Sequence, residues 1–383
     1  MKYKLMLVIA TVAILTVPSF AAENSAVKTI LTLDDAYKLA VESSIDVKTA
    51  DDNIEIAEDA LHDAEVAKDD IEWKYNDAEA YMELIYTEDY YPIIAEHDLV
   101  TAKRDKTVLL ENLKIEVTDA YVNYSQLIDL LEESKANQLQ AETTYQNKEK
   151  EYELGLLTET DLKSYEVAML KAQLAVLNSE NNLDQAKIAF NQMIGYSIDT
   201  DIKLSTVVDA STEVSYNITL LTNGIETYNQ TLLDLKEKID EQTLKIQLIK
   251  DNVLDRKSVT LNGSTSYLYG EASGLVLAED DLEDLKDDYN EALKDEVMNL
   301  KIAYNSLKSS ELTVKINALS YDSAVRSFNT AKLQNDLGLI TALDFQTAKD
   351  SMASAHEAYT SSIHDLYVAD LEFKEKIGTY SIE

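Results

Sequence analysis

Tyr152-Glu153-Leu154-Gly155-Leu156-Leu157-Thr158-Glu159-Thr160-Asp161 decides the fold, because its key residues return 183 positions later as Leu337-Gly338-Leu339 with Thr341 and Asp344. Each copy reads as the end of one helix and the start of another. Gly155 and Gly338 suit the left-handed conformation that closes a helix, and Leu156 and Leu339 supply the apolar contact that follows it. Thr158 and Thr341 are then N-caps, with Asp161 and Asp344 placed where a carboxylate meets free backbone N–H groups and the helix dipole. These five residues, Gly155, Thr158, Asp161, Gly338 and Thr341, are read as structural turns.

The same shift relates the flanks. Gly195 returns as Gly378, Phe190 as Phe373, Leu183 as Leu366, Ala186 as Ala369, and Tyr145 as Phe328. An internal repeat of this length must be explained by any fold. It places a first unit over 31–200, a Ser/Thr/Asp-rich linker over 201–214 and a second unit over 215–380. Within the first unit Leu110, Leu113, Val117, Ala120, Tyr124, Leu127 and Leu131 alternate steps of three and four, the spacing of a coiled-coil seam. Leu293, Val297, Leu300, Tyr304 and Leu307 do so in the second. Ala168, Ala172 and Ala175 form a column of small residues beside Leu170, Leu174 and Leu177, which predicts a helix packed on more than one side. Thr32 with Asp35 repeats the cap signature at the start of the first unit.

Composition agrees. The 383 residues include 8 Gly and 2 Pro, far too few for the turns of a many-stranded fold. The fold class expected is mainly all-α: long antiparallel coiled-coil hairpins in two tandem repeats, with at most one short β-hairpin at a tip. With 34 Lys and Arg against 71 Asp and Glu, the formal charge of −37 disfavours nucleic acid as a partner. No Cys is present, which removes disulfides, thiolate metal sites and a Cys nucleophile. His62, His97, His356 and His364 form no metal-binding spacing, and no nucleophile elbow, phosphate loop or dinucleotide fingerprint occurs. Neither cofactor nor metal is expected, and the chain does not read as an enzyme.

Residues 1–21 read as a signal peptide: Lys2 and Lys4, an apolar run from Leu5 to Val17, and a Ser19-Phe20-Ala21 cleavage site. Its removal takes away two lysines and no acid, which shifts the formal charge from −37 to −39. The protein is therefore expected to be exported.

The opening Leu31-Thr32-Leu33-Asp34-Asp35-Ala36, the turn from Tyr152 to Leu162, and the helix end Phe190-Asn191-Gln192-Met193-Ile194-Gly195-Tyr196 together resemble the TolC family of outer-membrane efflux proteins. The resemblance covers nearly all of the chain after the signal peptide. It implies a homotrimer whose helices form a hollow cylinder, completed by four β-strands per chain in an outer-membrane barrel. It further implies a passive duct that receives cargo from an inner-membrane pump through a periplasmic adaptor. Asp344 matches the acidic position near the periplasmic tunnel entrance, and Thr347, one turn on, gives no second carboxylate there.

The barrel region departs from that pattern. Ser258 to Gly270 reads as one short hairpin, with Asn262-Gly263 as its turn and Tyr267 and Tyr269 on the return strand. Trp73 to Tyr91 reads as helical, and its tyrosines as packing at a helical tip. A second reading therefore stands beside the duct: an exported coiled-coil envelope scaffold that has lost the membrane barrel.

Overall fold

A computed structural model describes residues 30–75, 78–205, 215–254, 259–261, 264–266, 269–337, 339–340 and 342–378. The signal peptide, 206–214 of the linker, the Asn262-Gly263 turn, Gly338 and Thr341 lie outside the described residues. The first repeat opens with β1 (Ile30–Leu31), followed by α1 (Leu33–Ser43), α2 (Ile45–Asp69), α3 (Ala78–Asp89), α4 (Tyr91–Glu153) and α5 (Glu159–Met193). A strand β2 (Lys203–Leu204) pairs parallel with β1, Ile30 opposite Lys203. The second repeat has α6 (Ile218–Gly224), a 3₁₀ turn (Ile225–Thr227), α7 (Gln230–Ile249), a π-helical turn (Lys250–Leu254), the strands β3 (Val259–Leu261) and β4 (Ser264–Ser266), then α8 (Tyr269–Asp336) and α9 (Ala342–Lys376).

Local chemistry sets the helix starts. Thr32 Oγ1 accepts from the Asp35 N–H at 3.1 Å while the Thr32 N–H donates to Asp35 Oδ2 at 3.3 Å, a reciprocal capping box that opens α1. The Thr32 side chain first, then its backbone, holds the Asp35 carboxyl below its ordinary pKa. Ser44 ends α1 and caps α2, accepting from the Val47 N–H at 3.2 Å.

Long helices gain most of their stability by packing an apolar face, so pairing matters more than propensity. α4 pairs with α5 and α8 with α9, the two long hairpins; α2 lies on α4, and α7 on α8. The repeat of 183 is a repeat of the core. Val117, Tyr121, Phe190 and Ile194 are buried in the first unit, together with Ala36 and Ala40 of α1. Their counterparts Leu300, Phe373 and Ile377 are buried in the second, with Tyr304 packed against them. The Tyr121–Phe190 and Tyr304–Phe373 ring centroids are both 6.0 Å apart. Even the buried serines correspond, Ser179 and Ser362.

The two tips differ. In the first repeat α3 occupies the tip, and its Tyr81, Met82 and Ile85 pack on Ile246 and Ile249 of α7 and Leu275 of α8. Helix covers 78–89, as the Glu, Ala, Met and Leu content predicts, but residues 71–75 are not helical. In the second repeat β3 and β4 pair antiparallel, Val259 opposite Ser266. The return strand does not extend to Tyr269, because α8 begins there.

Gly195 and Gly155 both have positive φ, +75° and +73°, but only Gly195 is crowded. A Cβ there would lie 2.6 Å from Ser43 Cβ, whereas one at Gly155 meets nothing within 4 Å. Gly155→Ala should therefore lose only the left-handed penalty of about 1 kcal/mol, and Gly195→Ala about 2–4 kcal/mol from penalty and overlap combined. Urea denaturation of both variants checks this, with Ser43→Gly expected to restore part of the loss in Gly195→Ala alone.

Candidate functional site

Both long hairpins reverse at one end of the molecule. α4 runs antiparallel to α7, since Arg104 meets Asp234 and Glu237 while His97 meets Glu241. α7 leads into its tip and α8 leaves it, so α4 and α8 run together from the tips to the turns.

At the first turn the Gly155 N–H donates to Tyr152 O at 2.8 Å and the Leu156 N–H to Glu151 O at 2.9 Å, the two bonds of a Schellman motif. Leu339 N–H donates to Gln334 O at 2.8 Å in the second turn, the counterpart of the Leu156 bond. Thr158 caps α5, accepting from the Asp161 N–H at 3.2 Å and donating its hydroxyl to Asp161 Oδ2 at 2.6 Å. Asp344 lies exposed in the first turn of α9, and Phe345 beside it stacks on Phe328 at 5.6 Å. This end is apolar as well as acidic: Leu154 and Leu156 are each 74% exposed and Leu339 70%.

At the opposite end the tyrosines form a packed cluster. Tyr75 meets Tyr81 edge-on at 5.0 Å, Tyr86 lies 5.5 Å from Tyr90, and the Tyr81 hydroxyl donates to Asn252 Oδ1 at 3.1 Å. No described helix is long and apolar enough to cross a membrane. Among the described residues no group of three or more His, Asp or Glu side chains is placed to hold a metal ion.

Between the two ends lies a polar joint that the sequence does not announce. Arg104 of α4 forks onto α7: Nη1 donates to Glu237 Oε1 at 2.7 Å, and Nη2 to Glu237 Oε2 at 2.5 Å and Asp234 Oδ1 at 2.6 Å. Bidentate pairing of this kind is directional and charge-assisted. The Arg104 hydrogen bond holds the Glu237 carboxyl below its ordinary pKa, whereas burial raises that of Asp234 in spite of Arg104. His364 of α9 reaches Asp119 of α4 at 3.0 Å. The partners lie 130 residues or more apart in sequence, so no local pattern marks them.

No protein-family model matches the chain, and no curated protein matches it in sequence. Solved structures do match in fold. The Campylobacter jejuni CmeC outer membrane channel superposes with a TM-score of 0.65 at 14% identity, over 90% of this chain and 85% of that one. The outer membrane protein VceC from Vibrio cholerae gives 0.63 at 14% identity, over 90% and 96%. The open-state MtrE outer membrane channel of Neisseria gonorrhoeae gives 0.65 at 12% identity, over 90% and 88%. The chain thus has the fold of these proteins at a sequence identity too low to carry more than the fold.

The Arg104 joint is the contact whose loss should be measurable. Arg104→Ala is expected to cost about 1–2 kcal/mol at pH 7, the low end for such pairs because the guanidinium keeps some solvent contact. Glu237 has a depressed pKa, so its contribution is present above the unfolded-state value and lost as pH falls through the folded one. Denaturation from pH 7 to pH 3 should show the wild-type advantage shrinking toward the acid end.

Proposed function

We propose that the chain is one subunit of a trimeric, TolC-like α-helical duct that passes small molecules or polypeptides passively through the cell envelope. One observation carries this reading. Val167, Leu170, Leu174 and Leu177 of α5 follow heptad spacing yet are 50–56% exposed in the single chain. Met298, Ile302, Leu312, Ile316 and Leu319 of α8 fall on the same register, interrupted by Asn305 and Ser309, and are 53–72% exposed. Two separate apolar stripes, one on each long hairpin, need partners. A contact between the α5 stripe of one copy and the α8 stripe of the next is head-to-tail, and such contacts close into a ring when the rotation between copies closes after three.

The likeness in fold to outer-membrane channels supports the same reading. In it the turn end faces inward to an adaptor and pump, with the exposed leucines as the adaptor contact. Asp344 provides a single acidic ring at the entrance. Three chains would bring roughly −117 of formal charge to the assembly, which favours cations in a low-dielectric tunnel.

The tips favour a second reading, an exported scaffold without a pore. A membrane strand needs about ten residues, and a barrel shared by three chains about four strands from each. Only 14 residues separate the π-helical turn at Leu254 from α8 at Tyr269, and the first tip carries helix α3. Conductance in planar bilayers separates the readings, since the scaffold should give none.

Sedimentation equilibrium at micromolar concentration should return three chain masses, and Leu174→Glu or Ile316→Glu should each shift it toward one. A monomer in the wild type would end the duct reading. In a conducting preparation, Asp344→Asn should weaken block by multivalent cations by severalfold, measured in single-channel recordings.

A further inference from the structure

A cleft of about 640 Å³ opens beside the Arg104 joint, where α4, the start of α7, α8 and the end of α9 meet. Its volume lies within the range of small-molecule sites. Glu111 of α4 lines it, is only 8% exposed, and among the described residues has no hydrogen-bond or ion-pair partner. Its carboxylate opens onto the cleft, so a cation entering there would meet an acidic group that no ion pair neutralises.

The surrounding groups do not supply that cation. From α9, Glu375 faces Glu111 and raises its pKa, while Lys114 on α4 offsets only part of the effect. Burial is the largest cause, and together these push the Glu111 carboxyl up to about 7. Arg104 lines the same cleft, but both its terminal nitrogens are engaged by Asp234 and Glu237. Glu296 from α8 adds a further carboxylate, which accepts from Asn229 at 2.9 Å. Tyr37 of α1 donates to Leu110 O at 3.3 Å rather than to Glu111, and burial first, then Glu111, raises its own pKa. Lys376 also borders the cleft, exposed on α9.

Part of the remaining wall is apolar, set among Thr107, Thr227, Asn229, Gln230 and Thr231. Val108, Tyr228 and Leu233 contribute to it, and Tyr228 spends its hydroxyl on Leu221 O at 2.8 Å. Burial pushes the Tyr228 phenol up to about 12, so it stays neutral. Calcium or magnesium fits this poorly, because each takes six or more oxygen ligands and among the described residues no group of three or more His, Asp or Glu is placed to hold a metal ion. A compact charge with a carbon body matches the wall.

We propose that this cleft binds a small organic cation, an alkylammonium whose charged head sits between Glu111 and Glu375 and whose carbon chain lies along Val108, Tyr228 and Leu233. The site joins the two repeats, because α4 comes from the first and its other walls from the second. It is separate from the turn end and does not depend on the duct reading.

Isothermal titration of the purified protein with n-butylammonium chloride, against sodium chloride and 1-butanol at matched concentration, tests it. Saturable binding of one butylammonium per chain is expected at pH 8, with none for 1-butanol or for sodium beyond dilution heat. Because the proton competes for Glu111, affinity should fall about thirtyfold at pH 5.5. Glu111→Gln should weaken binding at least tenfold and Glu375→Gln about threefold, while the exposed control Glu283→Gln leaves it unchanged. Binding that ignores pH, that survives Glu111→Gln undiminished, or that 1-butanol reproduces would overturn the proposal. Should Glu111→Gln fail to fold, the wild-type pH dependence and Glu375→Gln still decide it.

Discussion

A 63-residue helix such as α4 owes most of its stability to what its apolar face buries, and everything else follows from where that face is held. The Gly155 turn fixes it. Phe190 stands 35 residues after Gly155 and Tyr121 stands 34 before it, so the reversal sets the register that lets the two rings meet at 6.0 Å. At 1.5 Å per residue that core lies about 50 Å from the turn that aligns it. A slip of one residue at Gly155 would rotate α5 by about 100° and carry Phe190 out of the seam.

The second repeat obeys the same constraint with different side chains. Leu307 stands where Tyr124 stands and Val314 where Leu131 does, so the volumes vary while the heptad positions do not. Cores tolerate such exchange when pattern and total volume are kept. The repeats diverge where the constraint is absent, at the tips, which lie at the far ends of the hairpins. There α3 fills one tip as a helix and β3–β4 the other as a short hairpin, and α3 packs on the second repeat through Tyr81, Met82 and Ile85 as well as on α2 and α4 of its own.

Charge is distributed differently from apolar area. Most acids lie on solvated faces or in exposed local pairs such as Asp322 with Arg326, where water screens them. Glu311 is buried but held by Lys308 and Lys315 of its own helix; other exceptions gather between the repeats, at Asp234, Glu237 and Glu111. There Arg104 satisfies two carboxylates, and Glu111 is left facing Glu375. Arg104 acts there beside His97–Glu241, His364–Asp119 and the apolar contacts of α3, which also join the repeats.

How much of this was legible from the amino acids depends on the range of the interaction involved. The capping box of Thr32 and Asp35, the Thr158 cap and the left-handed Gly155 each depend on neighbours within five residues, and the sequence alone determined them. The repeat and its heptads determined two long hairpins in the same way. The sequence also showed Leu170, Leu174 and Leu177 as an apolar column, but only the tertiary structure decided that the α4 seam takes Val176 and Ser179 instead and leaves that column outside. Likewise, nothing near Arg104 or Glu111 in the chain reveals that one finds its partners 130 and 133 residues away and that the other finds none. Caps and turns are closed by bonds within one helical turn, whereas the choice of buried face and the fate of a charge depend on which distant helix arrives beside it.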